Sequence, residues 1–204
     1  MRTTLLLLLL ALLTTTATAQ ESKVKYGFFA GAVLRLNSFD QHTKEGVTFT
    51  TVNYLGYAAG ANVYYQPAPV FSLRGTLGLH LEGDELKFFS QEFSISGKLV
   101  STFLSTGVHA LLKRNEQSRW QLVAGLTPYF RLNSEDNSAG TGLRAFDLAS
   151  DLGVNYSFPV KSVQIMPELR FSRSLTNAAS ENGLAGMLNS YYRHRLSFSV
   201  HLVI

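Results

Sequence analysis

Phe71-Ser72-Leu73-Arg74-Gly75-Thr76-Leu77-Gly78-Leu79-His80-Leu81-Glu82 sets apolar side chains at Phe71, Leu73, Leu77, Leu79 and Leu81 against small, polar or charged ones. Successive side chains of a strand point to opposite faces, so this stretch is a strand with one apolar face and one charged face. The same period of two recurs along the chain. Trp120, Leu122, Ala124, Leu126 and Phe130 alternate with Gln121, Gly125, Thr127, Tyr129 and Arg131. Phe146, Leu148, Leu152, Val154, Tyr156 and Phe158 alternate with Asp147, Asp151, Gly153, Asn155 and Ser157. Val163, Ile165, Leu169 and Phe171 alternate with Gln164, Glu168, Arg170 and Ser172, and Leu196, Phe198, Val200, Leu202 and Ile204 with Arg195, Ser197, Ser199 and His201. Softer alternation marks Tyr26 to Leu36, Leu55 to Tyr65 and Phe103 to Leu112.

That makes eight strands, each long enough to cross a bilayer at a tilt, which takes about 9–11 residues. The gaps between them alternate long and short. Short gaps carry turn chemistry, at Pro67-Ala68-Pro69, Asn115-Glu116-Gln117-Ser118 and Pro159-Val160-Lys161-Ser162. Long gaps are polar or glycine-rich, as at Asn133-Ser134-Glu135-Asp136-Asn137-Ser138. Short periplasmic turns and long extracellular loops are the pattern of transmembrane barrels. The predicted fold is therefore all-β: an eight-stranded antiparallel up-and-down transmembrane β-barrel, with both termini in the periplasm. A soluble sandwich or lipocalin-like barrel would turn its polar faces to water. Those faces hold Ser, Gly, Asn and Thr rather than the Lys and Glu of a solvated strand face, which disfavours it.

The N-terminus reads as an address. Arg2 precedes the apolar run Leu5 to Leu13, and Ala17-Thr18-Ala19 fits a small-residue cleavage pattern. Residues 1–19 are expected to be a cleaved signal peptide and 20–204 the outer-membrane barrel domain. The apolar run is short for a retained helix, which needs about 20 residues.

Composition narrows the function. The 204 residues include no cysteine, so disulfides, thiol nucleophiles and thiolate metal sites are excluded. Charged residues are only 16% and hydrophobic ones 46%, the opposite of a disordered chain. The net charge of +4 comes from scattered Lys and Arg, which argues against nucleic acid as a partner. No Walker loop, G-x-S-x-G, H-E-x-x-H or calcium-loop spacing is present, so no cofactor or metal is expected. Isolated strand glycines (Gly56, Gly60, Gly75, Gly78, Gly125, Gly153) suit close packing. Tyr26, Tyr64, Tyr65, Phe71, Trp120, Phe130, Phe158, Tyr191 and Tyr192 lie near strand ends and predict two interfacial girdles. Arg173 falls on the lipid side at the outer end of its strand, where it can snorkel or be solvated.

The inward faces carry the chemistry. Arg35, Arg74, His80, Glu82, His109, Arg131, Asp147, Asp151, Glu168, Arg170, Arg195 and His201 are predicted to form a barrel-interior polar network. Side chains fill so narrow a barrel, and ions buried there must be paired. Glu168 is expected to pair with Arg195 or Arg193, and Arg170 with Asp151 or Asp147, from neighbouring strands. His80 with Glu82, and His109 with Ser105, are half-motifs for deacylation chemistry, but both are lone pairs of common residues, and interior hydrogen bonding is the favoured reading. The reading is a plug, with no catalytic residue and no open pore.

One stretch also carries a resemblance. Met166-Pro167-Glu168-Leu169-Arg170-Phe171-Ser172-Arg173-Ser174-Leu175-Thr176-Asn177, followed after a loop by Arg195-Leu196-Ser197-Phe198-Ser199-Val200, is similar to the penultimate and last strands of PorT-like proteins. Those are small outer-membrane barrels of Bacteroidetes-type bacteria. Leu111-Leu112-Lys113-Arg114-Asn115 running into Trp120 and Gly125 also resembles their fourth turn region. Where the family's fourth strand usually opens with a Leu-Glu-x-Pro-Leu type stretch, this chain reads Thr102-Phe103-Leu104-Ser105-Thr106-Gly107. The resemblance implies an accessory or assembly role in type IX protein secretion. The alternatives are a small structural or surface-contact barrel and, third, a lipid-modifying enzyme. The expected partners are outer-membrane lipid and lipopolysaccharide, with secretion-system proteins implied by the resemblance.

Overall fold

The structure, a computed structural model, describes residues 23–39, 48–89, 94–132, 144–179 and 190–204. The signal peptide and the Asn133–Ser138 gap lie outside the described residues. Ten strand segments run in chain order: β1 (Val24–Phe39), β2 (Thr48–Asn53), β3 (Leu55–Ala68), β4 (Phe71–Phe89), β5 (Ser94–Lys113), β6 (Trp120–Arg131), β7 (Phe146–Tyr156), β8 (Phe158–Val160), β9 (Val163–Ser174) and β10 (Tyr191–Val203). β2 and β3 both pair with β4 and form one stave interrupted at Tyr54; β7 and β8 both pair with β9 and form another, interrupted at Ser157. Ten segments minus these two continuations leave eight staves. Every stave is antiparallel to its sequence neighbour, and β10 pairs with both β9 and β1. Tyr26 and Ile204 exchange two backbone hydrogen bonds at this seam, 2.8 and 3.4 Å. Across the apolar belt each stave is paired on both sides, which a sheet in lipid requires.

The period of two decides which way each residue faces. Leu77, Leu79, Val108, Leu122, Leu126, Leu152, Leu169 and Phe198 are exposed on the outside, and the charged residues between them are buried inside. Such a belt of apolar side chains would be costly in water and is at ease in hydrocarbon. Aromatics rim the belt. At the short-turn end Trp120 meets Tyr156 edge-on at 4.9 Å and Tyr156 meets Phe158 at 4.5 Å; at the other end Phe130 meets Phe146 at 5.3 Å. Tyr64 and Tyr191 depart from the expected girdles: both are buried in the interior. Each sits beside an outward tyrosine, Tyr65 or Tyr192, and neighbours on a strand face opposite sides.

The turns follow local chemistry. Val160 pairs with Val163 across a two-residue turn in which Lys161 has φ 52°. The register of β3 on β4 shifts between Tyr65 and Ala68, at Pro67, which has no N–H to donate.

The gap from Gly83 to Thr102, expected to be a loop, is instead mostly strand. β4 and β5 continue as an unbroken antiparallel ribbon from Gly83 opposite Val100 to Phe89 opposite Ser94. β2 flanks it, with Thr48 opposite Phe89. At about 3.3 Å per residue the ribbon extends the wall by about 20 Å. Its sequence lacks the single continuous apolar face that betrays a membrane strand, so periodicity does not find it.

Candidate functional site

The interior is the place where this chain concentrates chemistry. It is built in tiers, beginning at the short-turn end with an apolar floor of Tyr64, Leu111, Val123, Met166 and Val203. Above the floor, Arg74 of β4 makes a two-pronged bond to Glu168 of β9, with Nη1 donating to Oε2 at 2.6 Å and Nη2 to Oε1 at 3.0 Å. His201 stands beside them, 3.8 Å from Glu168, with Asn62, Tyr64 and Ser199 on its ring nitrogens. The Phe29 ring stacks on His201 at 5.4 Å. It fits because Gly60 and Gly78 lie against it: a Cβ on either would stand within 2.8 Å of the ring.

The next tier holds His109, Asp151, Thr127 and Arg170. His109 Nε2 lies 2.8 Å from Asp151 Oδ2, Thr127 donates to the same oxygen at 2.5 Å, and Arg170 Nη1 is 3.0 Å from the imidazole. Asp151 and His109 belong to β7 and β5, which flank β6, and both are paired with Gly125. The missing side chain there lets them meet, since a Cβ on Gly125 would approach His109 Cδ2 to 2.7 Å.

His80 occupies the middle of the barrel. Its Nε2 is 2.9 Å from Ser105 Oγ, and its ring meets Tyr129 edge-on at 5.2 Å. Ser105 therefore partners His80, not His109 as the sequence suggested. Glu82 Oε1 lies 3.9 Å from His80 Nδ1, too far for a hydrogen bond. Serine, histidine and acid thus converge, but the carboxylate is turned to arginines.

Those arginines form the tier nearest the long connections. Arg35 and Arg195 face each other across β1 and β10, a like-charged pair that would repel. Glu82 bridges them: Arg35 Nε donates to Oε2 and Arg195 Nε to Oε1, each at 2.9 Å. Arg195 Nη1 also donates to Asp147 Oδ2 at 2.9 Å, while Ser174 and Thr176 donate to Asp147 Oδ1. Arg131 lies with its guanidinium 5.9 Å from the Phe103 ring centre.

The twelve residues singled out in the sequence all face this interior, and eleven of them are fully buried, Arg131 partly. The partner assignments need correcting. Glu168 bonds Arg74 and not Arg195 or Arg193; Arg195 takes Glu82 and Asp147. Arg170 packs on His109 and lies 3.8 Å from Glu168. Long side chains in a narrow barrel reach across the lumen as easily as along the wall, so partners come from distant strands. Sequence reading names Arg193 only as a partner for Glu168 and Tyr129 only by its parity, and it misses Phe103, because an aromatic at an inward position looks like any β-former. Among the described residues no group of three or more His, Asp or Glu is placed to hold a metal ion.

No family model matches the chain, and no curated protein does. Solved structures do. The outer membrane protein OprG from Pseudomonas aeruginosa is similar with a TM-score of 0.50 at 12% identity, covering 91% of this chain and 95% of its own. Neisserial surface protein A is similar with a TM-score of 0.44 at 13% identity, over 87% and 96%. Outer Membrane Protein W of E. coli is similar with a TM-score of 0.41 at 13% identity, over 91% and 100%. At such identity the likeness to OprG is one of fold: a small closed outer-membrane β-barrel.

Proposed function

We propose that the chain is an integral outer-membrane protein that neither catalyses nor conducts, and that acts by contact as an accessory of protein secretion of the PorT-like kind. The observation that carries this reading is the pairing of a filled lumen with a ribbon that rises past it. From Glu168 to Asp147 the interior is occupied by ion pairs, while β4 and β5 continue beyond the last of them. Glu82 is engaged by two guanidinium groups, which leaves its carboxylate ill placed to orient His80 as a base toward Ser105. The apolar belt meets outer-membrane lipid, both termini lie on the periplasmic side, and the ribbon and long connections face outward. Arg173, exposed at the outer end of β9, is placed to meet lipopolysaccharide phosphates.

Gene deletion, scored for secreted cargo and complemented with wild type or with a ribbon-shortened form, tests the reading. The shortened form lacks residues 86–97 and joins Glu85 to Lys98 through Asn-Gly. The expected result is loss of cargo on deletion, rescue by wild type, and no rescue by the shortened form although it fractionates with the outer membrane. Unchanged secretion on deletion rejects the secretion role.

A further inference from the structure

The tier nearest the long connections gathers four guanidinium groups around one aromatic ring. Phe103 is surrounded by four guanidinium groups, from Arg35, Arg131, Arg193 and Arg195, at 5.6, 5.9, 5.5 and 5.5 Å from the ring centre. Among the described residues, Glu82 is engaged by Arg35 and Arg195, and Asp147 by Arg195, Ser174 and Thr176. Arg193 is fully buried, and its Nη2 donates to the Arg144 carbonyl at 2.9 Å. Its Nε and Nη1 have no hydrogen-bond partner, and neither does Nη2 of Arg195. The two side chains are neighbours on β10, and Arg195 Nη1 donates to the Arg193 carbonyl at 3.1 Å.

A guanidinium stays protonated at any working pH, so this charge cannot be relieved by losing a proton. Contact with the Phe103 face offsets only a small part of burying it. We infer that Arg193 and Arg195, with Arg35 and Arg131 around Phe103, form a binding site for a tetrahedral oxyanion: a phosphate or sulfate group enclosed at the long-connection end of the barrel. Three nitrogens without an acceptor, on two adjacent forks, suit an anion whose oxygens spread in several directions. Backbone just after β9 is tied across this end of the barrel. Ala178 and Ala179 are buried, Arg144 N donates to the Ala178 carbonyl at 2.9 Å, and Ala178 N donates to that of Tyr191 at 2.7 Å.

The test uses the mature protein folded in zwitterionic detergent micelles. Thermal unfolding is followed in inorganic phosphate, in sulfate and in chloride at equal ionic strength, and with short-chain phosphatidic acid. Equilibrium dialysis of radiolabelled phosphate and sulfate against the wild type runs beside it. The expected result is a saturable rise of the midpoint in phosphate or sulfate that chloride does not give. At an anion concentration 100 times Kd, the folded-to-unfolded ratio rises about 100-fold. Arg193→Met should lose this rise while its midpoint in chloride equals or exceeds that of wild type, and Arg193→Lys should keep part of it. A rise with phosphatidic acid and none with the free ions assigns the site to a lipid-borne phosphate. Equal effects of all salts together with no effect of phosphatidic acid, or an undiminished rise in Arg193→Met, overturns the proposal. Should Arg193→Met fail to fold, the wild-type measurements decide: no bound anion in dialysis and no response to phosphatidic acid overturns it.

Discussion

At the scale of single residues, the interior is held by contacts that are costly to break one at a time. Arg74 and Glu168 are both fully buried and joined by two bonds. Glu168→Ala leaves Arg74 without its carboxylate, at a cost of about 3–5 kcal/mol. Replacing both, as Arg74→Met with Glu168→Leu, removes the stranded charge and should recover much of the loss. Urea unfolding in detergent or vesicles reads both values, and a double variant no more stable than Glu168→Ala contradicts the pairing. A second residue-scale prediction concerns Lys161, whose φ of 52° lies in the left-handed region. Lys161→Gly should be neutral or stabilising, and Lys161→Val should cost about 1 kcal/mol, because a branched Cβ crowds the following carbonyl there.

At the scale of elements, each stave is a two-sided object, and the same substitution acts differently on its two faces. Leu126 and Thr127 are neighbours on β6, the first half exposed on the belt and the second buried beside Asp151. Leu126→Arg puts a charge in hydrocarbon and should cost about 2–4 kcal/mol near the midplane, less if the bilayer thins around it. Thr127→Arg should disrupt by crowding a filled tier, and the loss should persist in thick and thin bilayers alike. Folding yields into vesicles of two chain lengths separate the mechanisms. The face of each stave was legible because one side had to be apolar throughout. Where that demand lapses, as in the ribbon from Gly83 to Phe89 and in β2, the alternation loses its contrast and strand reads as loop. The same limit governs the interior. Which residues point inward follows from parity, but that Glu82 joins Arg35 to Arg195, or that Gly125 lets His109 reach Asp151, depends on distances across the lumen. No spacing along one strand encodes them.

At the scale of the whole molecule, the way the ends are closed predicts a sidedness that can be tested. The turns at Pro69-Val70, Arg114–Arg119 and Lys161-Ser162 lie at the same end as the seam between Tyr26 and Ile204. The ribbon, β2, the end of β6 at Arg131 and the start of β7 at Phe146 lie at the other end. A chain delivered to the outer membrane from inside can pass its long connections through the bilayer only during insertion, leaving its termini and tight turns behind. A protease site placed between Asn133 and Gly142 should therefore be cut on intact cells, and one placed within Pro159–Ser162 should be cut only after the envelope is opened. The ribbon gives an independent reading of the same question. A site replacing residues 90–93, between the paired ends Phe89 and Ser94, should be cut on intact cells as readily as the first, because β4 and β5 carry those ends about 20 Å past the last interior ion pair. Cutting there should leave the barrel folded, since every interior ion pair from Arg74–Glu168 to Arg195–Asp147 lies below Gly83. Protection of both outer sites with cleavage at Pro159–Ser162 would invert the molecule, and would move the ribbon and its proposed contact to the periplasm.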